Sequence, residues 1–183
     1  LHPKESASNF GGGIGLNVFN SEENKKSFKV EFNQCEFSSN EATDGESKHA
    51  EDGLYSGGVL YYVDKETDTL LLSSLSLINC IFTSNYAIGK GGALYIETKH
   101  KTAILISNCF FRVNKAEIDA AAIFVRNGFN FELDISQFVN NSVSHNSVST
   151  LLPTDSLIVE ANANAVISNT VFIKSSYANL ETN

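Results

Sequence analysis

Asn79-Cys80-Ile81-Phe82-Thr83-Ser84-Asn85-Tyr86-Ala87-Ile88-Gly89-Lys90-Gly91-Gly92-Ala93-Leu94-Tyr95-Ile96 is the stretch that decides the fold, because both of its halves recur along the chain. The first half is a corner of the form Cys/Ser/Thr-x-Phe-x-x-Asn/Ser. It returns as Cys35-Glu36-Phe37-Ser38-Ser39-Asn40, Cys109-Phe110-Phe111-Arg112-Val113-Asn114, Ser136-Gln137-Phe138-Val139-Asn140-Asn141 and Thr170-Val171-Phe172-Ile173-Lys174-Ser175. Successive copies start 45, 29, 27 and 34 residues apart, periods that belong to a solenoid rather than to a globular enzyme core.

The second half returns as Gly11-Gly12-Gly13-Ile14-Gly15-Leu16, Gly57-Gly58-Val59-Leu60-Tyr61-Tyr62, Ala120-Ala121-Ala122-Ile123-Phe124-Val125 and, in degenerate form, Thr154-Asp155-Ser156-Leu157-Ile158-Val159. Small residues at its start permit a tight bend or a close backbone approach before a strand begins. A phosphate-binding loop is the competing reading of these glycines. No Walker lysine follows them, and the same slot recurs in every repeat, so the turn is preferred.

Upstream of each corner lies an alternating run: Phe28-Lys29-Val30-Glu31-Phe32, Leu75-Ser76-Leu77, Ile104-Leu105-Ile106, Phe131-Glu132-Leu133 and Ala165-Val166-Ile167. Alternation places Val30, Leu75, Ile104, Phe131 and Ala165 in one inward column and Phe32, Leu77, Ile106, Leu133 and Ile167 in the next. One repeat is therefore an apolar strand, a corner, a turn, a small-residue strand and a polar connection. Stacking such repeats about 4.8 Å apart pairs each strand with its equivalent and makes parallel sheets. The expected fold is all-β, a parallel β-helix of about five to six coils, formed as one segment over residues 1–183.

The columns assign their own chemistry. Phe37, Phe82, Phe111, Phe138 and Phe172 stack inside. Asn40, Asn85, Asn114 and Asn141 occupy a turn, where asparagine tolerates left-handed geometry and its amide reaches the next coil, with Ser175 ending the series. A further row, Asn79, Asn108 and Asn169, is interrupted by Gln34 and Ile135. The three cysteines, Cys35, Cys80 and Cys109, share one motif position and read as an unpaired column of small buried hydrophobes rather than a zinc site.

Composition bounds the function. Of the 183 residues 42% are apolar, enough for a continuous core, while a net charge of −8 argues against a nucleic-acid partner. No run approaches the roughly 20 apolar residues of a membrane-spanning helix, so no membrane insertion by this segment is expected. The chain begins Leu1-His2-Pro3, without an initiator methionine, which reads as a processed product or a fragment.

The repeat at Asn79–Ile96 resembles those of the polymorphic outer membrane protein family, whose passenger domains carry phenylalanine-x-x-asparagine and glycine-glycine-alanine-isoleucine elements. The resemblance covers essentially the whole chain, with the fourth and fifth copies degenerate. It implies a right-handed β-helix, an extracellular or cell-surface location, and adhesion rather than catalysis. Similar repeats occur in bacterial autotransporters and in large surface proteins of single-celled eukaryotes, so the resemblance marks a location better than a lineage.

Candidate functional positions lie outside the motif. On the small-residue strand, alternation sets Tyr61, Tyr95, Phe124 and Ile158 outward in one file, expected as a surface for a partner protein or for sugar stacking. A covering loop or a shifted alternation is the opposing reading. Two enlarged connections, Glu41 to Ser56 with its acidic cluster and Ser142 to Pro153, leave from one corner and are expected to carry repeat-specific contacts. The one Asn-x-Ser/Thr sequon places a candidate glycosylation site at Asn140.

A carbohydrate-active enzyme of the pectate lyase type is the competing reading. Such chemistry needs convergent carboxylates on one face, whereas only Glu97, Arg126 and Glu160 form a charged file, and His2, His49, His100 and His145 share no column. The reading adopted is a structural or adhesive β-helix without catalytic residues, metal or cofactor. Its expected partners are neighbouring coils of a longer chain or identical subunits end to end, together with glycans or a cell-surface protein. Two alternatives stand beside it, the β-helical carbohydrate-active enzyme and an intracellular filament subunit. No end caps are apparent in the sequence, and uncapped ends are expected.

Overall fold

The computed structural model describes residues 12–18, 29–43, 55–64, 73–98, 102–126, 130–143, 156–159 and 164–173. Each coil carries strands of four sheets in turn. Sheet I is built from Ile14–Val18, Leu60–Asp64, Leu94–Thr98, Ile123–Arg126 and Leu157–Val159; sheet II from Lys29–Asn33, Ser74–Ile78, Ala103–Ser107, Asn130–Asp134 and Asn164–Ser168. Sheet III takes Glu36–Ser38, Ile81–Thr83, Phe110–Arg112, Gln137–Val139 and Val171–Ile173, and sheet IV the two-residue strands Glu41–Ala42, Tyr86–Ala87, Lys115–Ala116 and Ser142–Val143. All named strand pairs are parallel and join equivalent residues of successive coils, so the molecule is a right-handed parallel β-helix.

The register is the one the columns require. Val30, Leu75, Ile104, Phe131 and Ala165 are consecutive partners, and so are Phe32, Leu77, Ile106, Leu133 and Ile167. The column side chains of the first four coils meet those of Leu60, Tyr62, Leu94, Ile96, Ile123 and Val125 from sheet I in one continuous interior. Through that interior runs the phenylalanine column. Ring centroids are 5.1 Å apart for Phe37–Phe82, 4.7 Å for Phe82–Phe111, 4.8 Å for Phe111–Phe138 and 4.7 Å for Phe138–Phe172, all within 15° of parallel. The separation is the inter-strand spacing itself, which holds the rings in offset stacks.

Single residues in left-handed backbone make the turns. Between sheets II and III they are Gln34, Asn79, Asn108, Ile135 and Asn169, with φ between 47° and 55°. Between sheets III and IV they are Ser39, Ser84, Val113 and Asn140, with φ between 52° and 55°. Asparagine is at ease there, whereas the β-branched Val113 and Ile135 are held in a conformation they disfavour. At the entry to sheet I, Gly91 has φ +68°, and a Cβ there would lie 2.0 Å from the Leu94 carbonyl oxygen. Gly58 is needed for closeness instead, since a Cβ would lie 2.2 Å from the Gly92 carbonyl oxygen.

The first motif position accepts Cys, Ser or Thr for a reason visible in its hydrogen bonds. Cys35, Cys80, Cys109, Ser136 and Thr170 each donate to the carbonyl two residues earlier, at 3.4, 3.3, 3.4, 2.9 and 2.8 Å. A small side chain with one donor is what the corner needs.

The asparagine column is a closed network. Asn85 Oδ1 accepts from the backbone N–H and the side-chain amide of Asn40, both at 3.0 Å, while Asn114 Oδ1 accepts the same pair from Asn85 at 3.1 and 2.9 Å. Asn141 Oδ1 does this for Asn114 at 2.9 and 3.0 Å. The second amide hydrogen of Asn85, Asn114 and Asn141 goes back to the carbonyl of Phe37, Phe82 and Phe111. Asn85, Asn114 and Asn141 are fully buried with these bonds made. Ser175, expected to end the ladder, lies outside the described residues, as do the terminal segments 1–11 and 174–183.

Replacing Asn114 by Ala strips Oδ1 from the Asn85 N–H and a donor from the Phe82 carbonyl, leaving buried groups unsatisfied. The expected loss is about 2–4 kcal/mol, read from the chemical denaturation midpoint at constant m-value. Ile135→Asn is expected to shift the midpoint the other way by about 0.5–1 kcal/mol, by relieving left-handed strain in an exposed β-branched residue.

Candidate functional site

Tyr61, Tyr95, Phe124 and Ile158 are consecutive register partners on the outward side of sheet I, so the file anticipated from alternation exists. Tyr61 and Tyr95 stack at 5.0 Å and Tyr95 and Phe124 at 5.4 Å, with planes 6° and 12° apart. The expectation of an exposed stripe is corrected by its burial. Tyr61 is 7% exposed, Tyr95 and Phe124 are 0% exposed, and Ile158 is half-buried. With Val63 and Ala120 they form a second apolar cluster outside the coil, separate from the interior. Sheet I is thus buried on both faces in its central coils, the environment ordinarily found for parallel sheets packed on two sides.

Polar groups close over this cluster. The Lys90 ammonium lies 4.7 Å from the Phe124 ring centroid and 3.8 Å from Asp119 Oδ2, although the residue is only 7% exposed. Its aliphatic stem covers aromatic surface while its charge meets both a ring face and a carboxylate. Lys90 and Asp119 stand opposite each other as a parallel bridge between successive coils, at the corner where the chain leaves sheet IV for sheet I. The Lys90 N–H donates to Ser56 Oγ at 2.9 Å, tying that corner to the coil below. The lysine was not singled out in the sequence; its signal is its place before Gly91-Gly92, the turn that throws the preceding side chain back across sheet I.

Beyond the aromatic file, Val63, Glu97 and Arg126 are register partners, as the alternation required. Glu97 Oε2 accepts the Tyr95 hydroxyl at 3.0 Å, and the Arg126 guanidinium lies 5.7 Å from the Phe124 ring. The carboxylate is therefore engaged by a neighbour on its own strand. On sheet IV the Tyr86 hydroxyl donates to Glu117, and the Lys115 ammonium lies 5.8 Å from the Tyr86 ring.

Asn140 sits at the exposed corner between sheets III and IV, while the next residue, Asn141, belongs to the buried ladder. Ser142, the third residue of the sequon, pairs with Lys115 in sheet IV. The acidic stretch 44–54, the connection 144–155, Glu160 and the four histidines lie outside the described residues. Among the described residues no cluster of three His, Cys, Asp or Glu side chains is placed to hold a metal ion, and no helix is long and apolar enough to cross a membrane.

Burial governs the titrating groups. Loss of water pushes the Cys109 thiol up from 9.0 to about 12 and the Cys80 thiol upward as well. Desolvation, reinforced by the Glu97 charge, lifts Tyr61 from 10.0 to about 12 and raises Tyr95 further. No protein-family model, curated protein or solved structure matches the chain.

Two measurements follow from this geometry. Tyr95→Ala removes a buried ring sandwiched between two others, and the expected destabilisation is about 3–5 kcal/mol, against about 0.5 kcal/mol or less for an exposed aromatic. Raised acid constants also give stability a sign with pH, because the folded chain keeps these protons to higher pH than the unfolded one. Their contribution is complete below the unfolded thiol value of 9.0 and is lost as pH climbs toward about 12. The double variant Cys80→Ser/Cys109→Ser is expected to lose less stability between about pH 8 and pH 11 than the parent, measured as unfolding free energy at each pH. Serine already fills this position at Ser136 with its hydrogen bond intact.

Proposed function

We propose that the chain is a structural β-helix of a surface protein, a rigid spacer that holds its longer connections out for contact with a partner. The observation that carries this reading is where the side chains capable of chemistry are spent. Asn40, Asn85, Asn114 and Asn141 bond one another, the phenylalanines stack, Lys90 faces Asp119 and Tyr95 bonds Glu97. Each of these interactions joins coils or covers a sheet, and none converges on a cleft. The resemblance of the repeat to those of the polymorphic outer membrane proteins supports an extracellular location and an adhesive role.

Burial of Tyr61, Tyr95 and Phe124 moves the proposed contact surface away from the aromatic file. It passes to connections 44–54 and 144–155, which leave the corner between sheets IV and I. Elsewhere the same corner is closed by six residues, Ile88-Gly89-Lys90-Gly91-Gly92-Ala93. The exposed corner at Asn140 is the position for an N-linked glycan in this reading.

Deleting 44–54, which leaves six residues between Ala42 and Leu60 as there are between Ala87 and Leu94, tests the division of labour between scaffold and connection. The β-rich circular dichroism spectrum is expected to persist, while beads coated with the variant lose attachment to cultured cells that hold the parent. Equal attachment by parent and variant overturns the role given to that connection. Release of unsaturated oligosaccharides from an acidic polysaccharide by the parent chain overturns the structural reading in favour of an enzyme.

A further inference from the structure

Sheet III is bordered by short corners. Two residues join it to sheet II in all five coils and two join it to sheet IV in four, so the longer connections start elsewhere. Phe82, Phe111 and Phe138 point inward, which turns Ile81 and Thr83, Phe110 and Arg112, and Gln137 and Val139 outward over the three central coils. Ile81 is 41% exposed, and Phe110 and Val139 are half-buried. Arg112 is exposed, and its register partners Thr83 and Val139 carry no charge.

The corners on either side add two apolar residues. Val113, between sheets III and IV, is 45% exposed with φ 55°, and Ile135, between sheets II and III, is 53% exposed with φ 47°. Every other left-handed residue described at these two corners is Gln, Asn or Ser. A β-branched residue is disfavoured in left-handed backbone, and an apolar side chain left in water gains nothing in return. Ile135 also interrupts an amide row in which Asn108 donates to Asn79 at 2.7 Å. Two choices against local preference, in adjoining coils and beside exposed Ile81 and Phe110, mark a surface that another molecule covers.

We propose that this face pairs with the same face of a second copy of the chain, about a two-fold axis parallel to the stack. Strands then run antiparallel across the contact while the coils keep the same order. Each first outward position meets the second outward position of the other copy, so that Phe110 meets Arg112, Ile81 meets Thr83 and Gln137 meets Val139. The pairing goes beyond the contacts proposed for connections 44–54 and 144–155 and does not depend on them.

Charge selects this occupant and this axis. Each Arg112 lies on the Phe110 ring of the other copy, a cation–π contact made twice. Glu36, the one carboxylate on the outward positions of the described strands of sheet III, meets the Ser38 hydroxyl. A two-fold along the strands is the other isologous arrangement, and at full overlap it opposes Arg112 to its own copy. Within one molecule Val113 and Ile135 lie on opposite sides of the sheet. The axis parallel to the stack brings Val113 to within one coil of the second copy's Ile135, so the two disfavoured corners cover each other. From corner to corner over five coils the face spans roughly 500 Å². A stable complex buries roughly 800 Å² per partner, so this pair is a weak one.

Sedimentation velocity of the full chain at up to about 1 mM tests this, with a dimer and nothing larger expected. Val113→Asn combined with Ile135→Asn should weaken the dimer about tenfold while raising the unfolding midpoint, because asparagine suits both corners. A purely structural role for the two residues would not move association and stability in opposite directions. Ile81→Lys and Thr83→Glu test the axis: each alone should weaken the dimer, and a mixture of the two should recover association, since the two-fold sets position 81 against position 83. A monomer at about 1 mM, species that grow beyond a dimer, equal association by the parent and the double Asn variant, or no recovery in the mixture overturns the proposal. A monomer that binds phosphatidylcholine vesicles, with binding lost in the double Asn variant, overturns it in favour of a lipid surface.

Discussion

A buried asparagine side chain that must place two donors and one acceptor sets the register of this molecule. Asn85 and Asn114 have no access to water, and each depends on the coil before and the coil after for its partners. Sliding one coil by a single residue would strand an amide in an apolar interior and turn every inward side chain outward at the same time. The phenylalanine column adds the complementary constraint. Rings in successive coils fit the inter-strand spacing as offset stacks only when they occupy equivalent positions, within 15° of parallel. Hydrogen bonding and stacking therefore demand one alignment, and the strands of sheets II and III follow from it.

That alignment also accounts for the tolerance of the motif. Cysteine, serine and threonine alternate at one position because each donates to the carbonyl two residues earlier. Glycine gives way to Ala120 at the entry to sheet I, where φ is 51°, at the cost of a left-handed alanine. Val113 and Ile135 are held left-handed at corners whose backbone N–H groups still donate to the adjoining coil, Val113 to the Val139 carbonyl and Ile135 to the Ser168 carbonyl. Local preference yields at these corners because the ladder on both sides over-determines the backbone.

Outside the coil, the file of Tyr61, Tyr95 and Phe124 makes a second apolar layer instead of a display surface. Lys90 and Arg126 lie over the Phe124 ring, and Asp119 and Glu97 stand beside the charged and hydroxyl groups of the layer. Sheet I is accordingly the most enclosed of the four, while the outward side of sheet III leaves Ile81 in solvent and the corners on either side of it expose Val113 and Ile135.

Most of this architecture was legible in the residues. The period-two alternation around Leu75-Ser76-Leu77, the repeated Phe and Asn positions and the paired glycines specify strands, corners and their order, because a parallel stack sets identical residues side by side. Strand limits moved by a residue, as at Lys29–Asn33, since the left-handed corner at Gln34 and not the apolar run ends the strand. Alternation also correctly turned Tyr61, Tyr95 and Phe124 outward, but it carries no information about what lies against that side. Burial of those rings and the placement of Lys90 over Phe124 were decided only by the tertiary structure. The physical reason is that a strand's two-residue period is local, whereas water is excluded from a face by groups distant in the sequence.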